Sequence, residues 1–78
     1  MKILITGANG LLGQKIVEFC IAQKIDFFAT SSGENRNSNC PNTHYSSMDI
    51  TDENEVQHVI SSILPTHIIH TAAITNVD

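Results

Sequence analysis

Positive charge is scarce in this chain. Lys2, Lys15, Lys24 and Arg36 are its only lysine and arginine residues, and they are scattered along a sequence of formal charge −4. With no basic stripe, the composition argues against nucleic acid or an anionic membrane surface as the main partner. No apolar run approaches the ~20 residues of a membrane span. The N-terminal KILIT runs straight into glycines, so no signal peptide is read there. Cys20 and Cys40 lack C-x-x-C spacing, and Cys20 falls in a helical pattern as a small core residue. Two lone thiols make a reduced, cytoplasmic compartment the expectation. Length is short as well: 78 residues allow at most one small domain, which buries only somewhat over ~60% of its unfolded surface. With few aromatics and ordinary apolar content, this is a soluble globular composition.

What is present is an alternation of short apolar runs with helical patterns. Lys2 to Thr6 is β-branched-rich and ends at a glycine, a buried strand. From Leu11 to about Gln23, Leu12, Ile16, Val17, Cys20 and Ile21 recur at helical spacing, with Gln14, Lys15, Glu18 and Gln23 on the wet side. Ile25 to Thr30 is a second strand. Ser31 to Thr43, dense in Ser, Asn, Gly and Pro, reads as loop. His44 to Met48 is a weak third strand ending at Asp49. Asp52 with Glu55 resembles a capping box, with Thr51 an equal alternative as cap. Val56, Val59, Ile60 and Ile63 keep the helical rhythm until Pro65, and His67 to Thr71 is a fourth strand, again buried. Neither an internal repeat nor an interdomain linker is seen. The order β-α-β-loop-β-α-β implies a parallel sheet with right-handed crossovers. The dozen or so loop residues suffice for the second return.

Glycines where a helix should begin point to phosphate. In GANGLLG, one glycine permits the tight turn, another lets the backbone approach a pyrophosphate, and a third lets helix and strand pack closely. Gly7, Gly10 and Gly13 fit those roles, and Asn9, Leu11 and Leu12 supply backbone donors at a helix N-terminus. A glycine-rich turn without a ligand is the bland alternative. The position after a strand, opening the helix of a βαβ unit, favours a dinucleotide. Preceded by Thr6, the run becomes TGANGLLG. With Asp49-Ile50-Thr51-Asp52 and the closing HTAAITNVD, it resembles the extended short-chain dehydrogenase/reductase family, and within it the branch that reduces sugar nucleotides. The resemblance covers nearly all of the chain. It implies an α/β fold, the N-terminal half of an NAD(P)-binding Rossmann domain with strand order 3-2-1-4. Residues 1–78 would be the cofactor-binding part, with catalytic and substrate parts absent from this chain.

The remaining site residues follow from strand ends and from the resemblance. The second strand ends Thr30-Ser31-Ser32, with Arg36 shortly after and no acid at its tip. That favours NADP(H) over NAD(H), with Ser31, Ser32 and Arg36 near the 2′ position; plain loop residues are the alternative. Family members often carry a basic residue close behind this strand, where Ser32 stands here. The resemblance implies that Asp49 takes the exocyclic amine of adenine and that Ile50 packs on the ring; a turn or cap role is the structural alternative. It likewise places Ala72, Ala73, Ile74 and Thr75 along the cofactor. His67 and His70 lie three apart on a strand and so on opposite faces. No metal site is expected. The family's Tyr-x-x-x-Lys pair is missing: Tyr45 is the only tyrosine, and Asp49 stands four residues on. No catalytic residue is therefore assigned within the chain. The expected activity of the complete protein is NAD(P)H-dependent reduction of a 4-keto deoxysugar nucleotide. Two alternatives stay open: a nucleotide-sugar epimerase or dehydratase, and a non-catalytic dinucleotide-binding regulatory subunit resembling that of methionine adenosyltransferase. Expected partners are the dinucleotide, the nucleotide sugar and, as an open alternative, a second copy of the chain.

Overall fold

Strand β1 (Lys2–Thr6) takes its place from its side chains: Ile3, Leu4, Ile5 and Thr6 are all buried. A run apolar on both faces suits a strand covered from both sides, as in parallel sheets. The computed structural model describes residues 1–71. After β1 come helix α1 (Leu11–Gln23), β2 (Asp26–Ser31), a 3-10 turn (Asn42–His44), β3 (Tyr45–Ser47), α2 (Glu53–Ile63) and β4 (His67–His70). All three strand pairs are parallel, and the sheet order is β3-β2-β1-β4. The α/β fold with order 3-2-1-4 is thus the observed one.

Side-chain alternation along the strands builds two cores. Ile3 and Ile5 of β1 join Phe27 and Ala29 of β2, and meet Val17 and Cys20 of α1. Leu4 turns the other way, with Phe28, toward Met48 and the α2 residues Val56, Val59, Ile60 and Ile63. The two helices therefore lie on opposite faces, as right-handed crossovers running in opposite directions require. Cys20 is a core residue, and burial pushes its thiol above the ordinary range, as it does for Cys40.

Three local expectations need correction. Helix α1 seats on Gly13, Val17 and Cys20, so Leu12 and Ile21, read as inward, are 48% and 41% exposed. The contact of Gly13 with the preceding turn sets the rotation of the helix. Strand β4, expected to be buried, exposes His67, Ile68 and His70. It stands at the sheet edge with β1 as its one partner among the described residues. The third strand begins at Tyr45 because His44 belongs to the 3-10 turn, where its ring lies 5.2 Å from that of Phe27. At α2 the choice of cap is settled. Asp52 accepts from the N–H groups of Asn54 and Glu55 at 3.0 and 3.3 Å. Glu55 does not return the bond to Asp52; its Oε1 accepts from the N–H of Asp49 at 3.2 Å.

The second crossover is ordered by asparagines. Asn35 Nδ2 donates to the carbonyl of Cys40 at 2.7 Å and to Asn42 Oδ1 at 3.1 Å. The N–H groups of Asn37 and Asn39 donate to Asn35 Oδ1 and Asn37 Oδ1, each at 3.0 Å. Short amide side chains that bond nearby backbone substitute for a helix's own ladder. Cys40 is pressed into the core on the α1 side.

The seat of α1 is testable. A Cβ on Gly13 would lie 2.2 Å from the Gly7 carbonyl oxygen and 2.7 Å from Ala8 Cα, backbone atoms that cannot swing aside. Gly13→Ala gains about 1 kcal/mol of helix propensity but faces an overpacking cost of about 1–3 kcal/mol. A net loss of stability in urea denaturation is expected. An unchanged or raised midpoint would mean that the helix shifts away freely.

Candidate dinucleotide site

The turn between β1 and α1 begins at Gly7, whose φ of 71° lies in the left-handed region that glycine adopts without steric cost. The N–H of Gly10 donates back to the Gly7 carbonyl at 3.0 Å, and the first helical bond runs from Gln14 N–H to the Gly10 carbonyl at 2.9 Å. Gly10 is the N-cap, in extended conformation, with no side-chain cap. The N–H groups of Leu11, Leu12 and Gly13 fall in the first turn, where a helix has no partner of its own to offer them. Leu11 and Leu12 project outward. A Cβ on Gly10, at this helix start, would lie a tight 3.3 Å from the Gly7 oxygen. An anion fits there by both donors and dipole. The N–H of Gly10, by contrast, is used within the turn.

Across the sheet, the ends of β1 and β4 are tied together. Thr6 Oγ1 and His70 Nδ1 are 2.7 Å apart. Thr71 Oγ1 donates to the carbonyl of Thr6 in a short contact and lies 3.2 Å from that of Gly7. These strands flank the point where strand order reverses, the ligand crevice of open α/β sheets.

Ser31 is the last residue of β2 and half-buried, while Ser32 and Arg36 lie exposed on the segment that follows it. Two side chains hold this segment. Asn9 Nδ2 donates to the carbonyls of Glu34 and Ser32 at 2.7 and 3.4 Å, while its Oδ1 accepts from the N–H of Arg36 at 2.8 Å. The Tyr45 hydroxyl lies 2.7 Å from the Gly33 carbonyl and 3.1 Å from that of Ser31. Burial is the largest influence on the Tyr45 hydroxyl and pushes it above its ordinary pKa. From the sequence, Asn9 offers only backbone donors and Tyr45 no role in the site. No spacing signals either contact, because both reach main-chain atoms far away in sequence. Beside this segment and β3 lies an open cleft of about 740 Å³, lined by Gly33, Glu34 and Tyr45 among others.

Asp49 and Ile50 follow β3, both exposed. Asp49 Oδ1 accepts from the hydroxyl and the N–H of Thr51 at 2.7 and 2.9 Å. The hydroxyl bond first, and then the backbone bond, hold the Asp49 carboxyl below its ordinary pKa. Both bonds fall on one oxygen, so Oδ2 can serve an outside donor. The N–H of Met48 donates to the Ser31 carbonyl at 2.9 Å, which places the ends of β2 and β3 side by side. The structure thus gathers the glycine turn and the Ser32–Arg36 segment through Asn9, with Asp49 just beyond the end of the neighbouring strand β3. Ala72, Ala73, Ile74 and Thr75 lie outside the described residues. Among the described residues, no three His, Cys, Asp or Glu side chains form a metal-binding group, and no helix is long and apolar enough to cross a membrane.

A parallel sheet with a glycine turn opening the first helix defines the Rossmann-type α/β class. The particular family follows from comparison: a model described as the RmlD substrate binding domain matches residues 1–78. The chain belongs to that family, and so to the extended short-chain dehydrogenases/reductases. It is similar to dTDP-glucose 4,6-dehydratase of Haemophilus influenzae, 26% identical over 87 aligned positions that take in 100% of this chain and 26% of the dehydratase. Among solved structures it is similar to L-threonine dehydrogenase of Clostridium difficile, with a TM-score of 0.77 and 28% identity over 88% of this chain and 23% of that one. The chain spans about a quarter of the length of these relatives.

The Asp49 turn yields a pH prediction. A carboxyl whose pKa falls on folding adds stability above its unfolded pKa and loses it as pH drops through the folded value. Thr51→Val removes the larger cause and keeps the backbone bond. The Asp49 titration followed by NMR should therefore move upward in the variant while staying below the ordinary value. An unmoved midpoint would mean that the hydroxyl contributes nothing.

Proposed function

We propose that this chain is the cofactor-binding portion of an NAD(P)H-dependent reductase of 4-keto deoxysugar nucleotides, similar to dTDP-4-dehydrorhamnose reductase. The match of all 78 residues to the RmlD substrate binding domain family carries this reading. The uncapped, glycine-opened start of α1 supports its cofactor part. In this reading, the N–H groups of Leu11, Leu12 and Gly13 hold the pyrophosphate. Gly7 makes the turn, and the bare Cα of Gly10 admits the phosphates. Asp49 accepts from the exocyclic amine of adenine, and Ile50 covers the ring. Ser31, Ser32 and Arg36 would face the 2′ position, and Ala72, Ala73, Ile74 and Thr75 would line the cofactor. NADP(H) is favoured over NAD(H).

When bound, the dihydronicotinamide would supply the hydride for carbonyl reduction. The chain's own residues bind and orient; none is assigned the proton. The Tyr45 hydroxyl is engaged with the carbonyls of Ser31 and Gly33, and no lysine stands four residues beyond it. Catalytic and substrate parts would lie outside these residues. The similarity to dTDP-glucose 4,6-dehydratase favours a second reading, a nucleotide-sugar dehydratase.

Two titrations test the cofactor part. Gly10→Val places methyl groups over the first-turn N–H groups, and NADPH binding should be lost with the circular dichroism spectrum retained. Unchanged affinity would remove the phosphate role. The wild-type chain should bind NADPH about tenfold more tightly than NADH, the equivalent of one charge-assisted hydrogen bond. Arg36→Ala should abolish that preference; an unaltered ratio would exclude Arg36. Supplied with NADPH and a dTDP-4-keto sugar, the 78-residue chain alone should show no sustained oxidation of NADPH, since general acid catalysis is worth about 10²–10⁴. Turnover would place the acid among residues assigned here to binding.

A further inference from the structure

We infer that Asn9 is a positioning residue whose side-chain amide sets the segment after β2 against the glycine turn, making the phosphate-binding and ribose-binding halves of the site one preformed unit. The inference rests on the cofactor reading above and concerns how that site discriminates at the ribose. Asn9 stands between Gly7 and Gly10 and is itself fixed, since its carbonyl accepts from Gln14 Nε2 at 2.8 Å. Its side chain then reaches main-chain atoms more than twenty residues on: the Glu34 carbonyl at 2.7 Å, the Ser32 carbonyl at 3.4 Å and the Arg36 N–H at 2.8 Å. Two donors and an acceptor on a short planar group are what this contact uses. Aspartate lacks the donors, and glutamine is one methylene longer. From the other side, the Tyr45 hydroxyl donates its one proton to the nearer Gly33 carbonyl at 2.7 Å, with that of Ser31 at 3.1 Å.

The clamp matters because of what it holds. Ser32 and Arg36 are exposed, on a segment whose main-chain bonds run to side chains and not into the sheet ladder. Left free, such a segment would be ordered by the ligand at the ligand's expense. Held in advance, it presents Ser32 and Arg36 at a fixed offset from the helix start that takes the phosphates. A ligand spanning both halves would then be measured by the clamp, and the part that varies between NADPH and NADH falls on the clamped segment.

The experiment titrates the wild-type chain, Asn9→Ala and Tyr45→Phe with NADPH and with NADH, and reads the ratio of the two affinities. Asn9→Ala should bring a roughly tenfold wild-type preference close to unity, while NADH affinity falls less than about threefold. Tyr45→Phe, which keeps the ring and removes one hydroxyl, should lower the ratio about threefold. If the wild type prefers NADH instead, the same collapse toward unity supports the clamp. Equal weakening of both cofactors would overturn the inference, because Asn9 would then serve only the turn or the fold. A retained ratio would overturn it too, with the cofactor reading left standing. Should Asn9→Ala fail to fold, the ratio in Tyr45→Phe decides. Absence of binding of either cofactor by the wild type would defeat the cofactor reading and this inference with it.

Discussion

The approach of α1 to the end of β1 governs this molecule. Where a Gly13 Cβ would stand there is already the Gly7 carbonyl, so the helix can come this close only because the side chain is missing. That one contact fixes the rotation of α1, and with it which residues are buried: Gly13, Val17 and Cys20 go inward. The same carbonyl accepts the N–H of Gly10 and lies within bonding reach of the Thr71 hydroxyl. Turn, helix start and the end of β4 are thereby joined at one atom. The consequence for function is geometric. A helix seated this closely on the strand end holds its open N–H groups at the carboxyl edge of the sheet.

Packing around that contact is divided between two faces, and each half-core is small. On one side Ile3, Ile5, Phe27 and Ala29 meet α1, and on the other Leu4 and Met48 meet α2. Chains of this size bury a modest share of their surface, and here apolar side chains such as Phe19, Leu64 and Ile68 stay exposed. Strand β4 adds an edge with one paired side among the described residues, and exposed edges of this kind favour association.

The features legible in the sequence were those with a local cause. Strand β1 was visible because five residues of apolar and β-branched character end at a glycine, and α2 because Asp52 and Pro65 bracket a helical rhythm. The glycine turn was visible as spacing. Strand order came from the resemblance to the reductase family, and right-handed crossovers are compatible with it. What escaped depends on partners distant in sequence. The rotation of α1 comes from a contact with the preceding turn, so Leu12 looked inward although it is not. The exposure of β4 reflects its position at the sheet edge, while its residues HIIH look the same in an edge or a centre. His44 left its strand because a neighbouring proline and asparagine begin a 3-10 turn. The Asn9 and Tyr45 contacts were illegible for a plainer reason: each side chain meets carbonyls, and every residue has one.

Those carbonyls also decide how the segment after β2 can recognise a ligand. The Ser31 carbonyl is taken by the N–H of Met48 and approached by the Tyr45 hydroxyl, that of Ser32 by Asn9, that of Gly33 by Tyr45, and that of Glu34 by Asn9. Four successive acceptors are thus engaged within the protein. In the proposed cofactor reading, a ligand arriving at this strand end would meet few main-chain acceptors, and the groups left to read a ribose edge would be side chains, the hydroxyls of Ser31 and Ser32 and the guanidinium of Arg36. A helix in this crossover would have bonded its backbone internally and carried its side chains away on a rigid axis. The asparagine-ordered segment instead fastens its backbone to the glycine turn and to β3, so that in the proposed reading the side chains that would read the ribose are carried on a backbone already held in place.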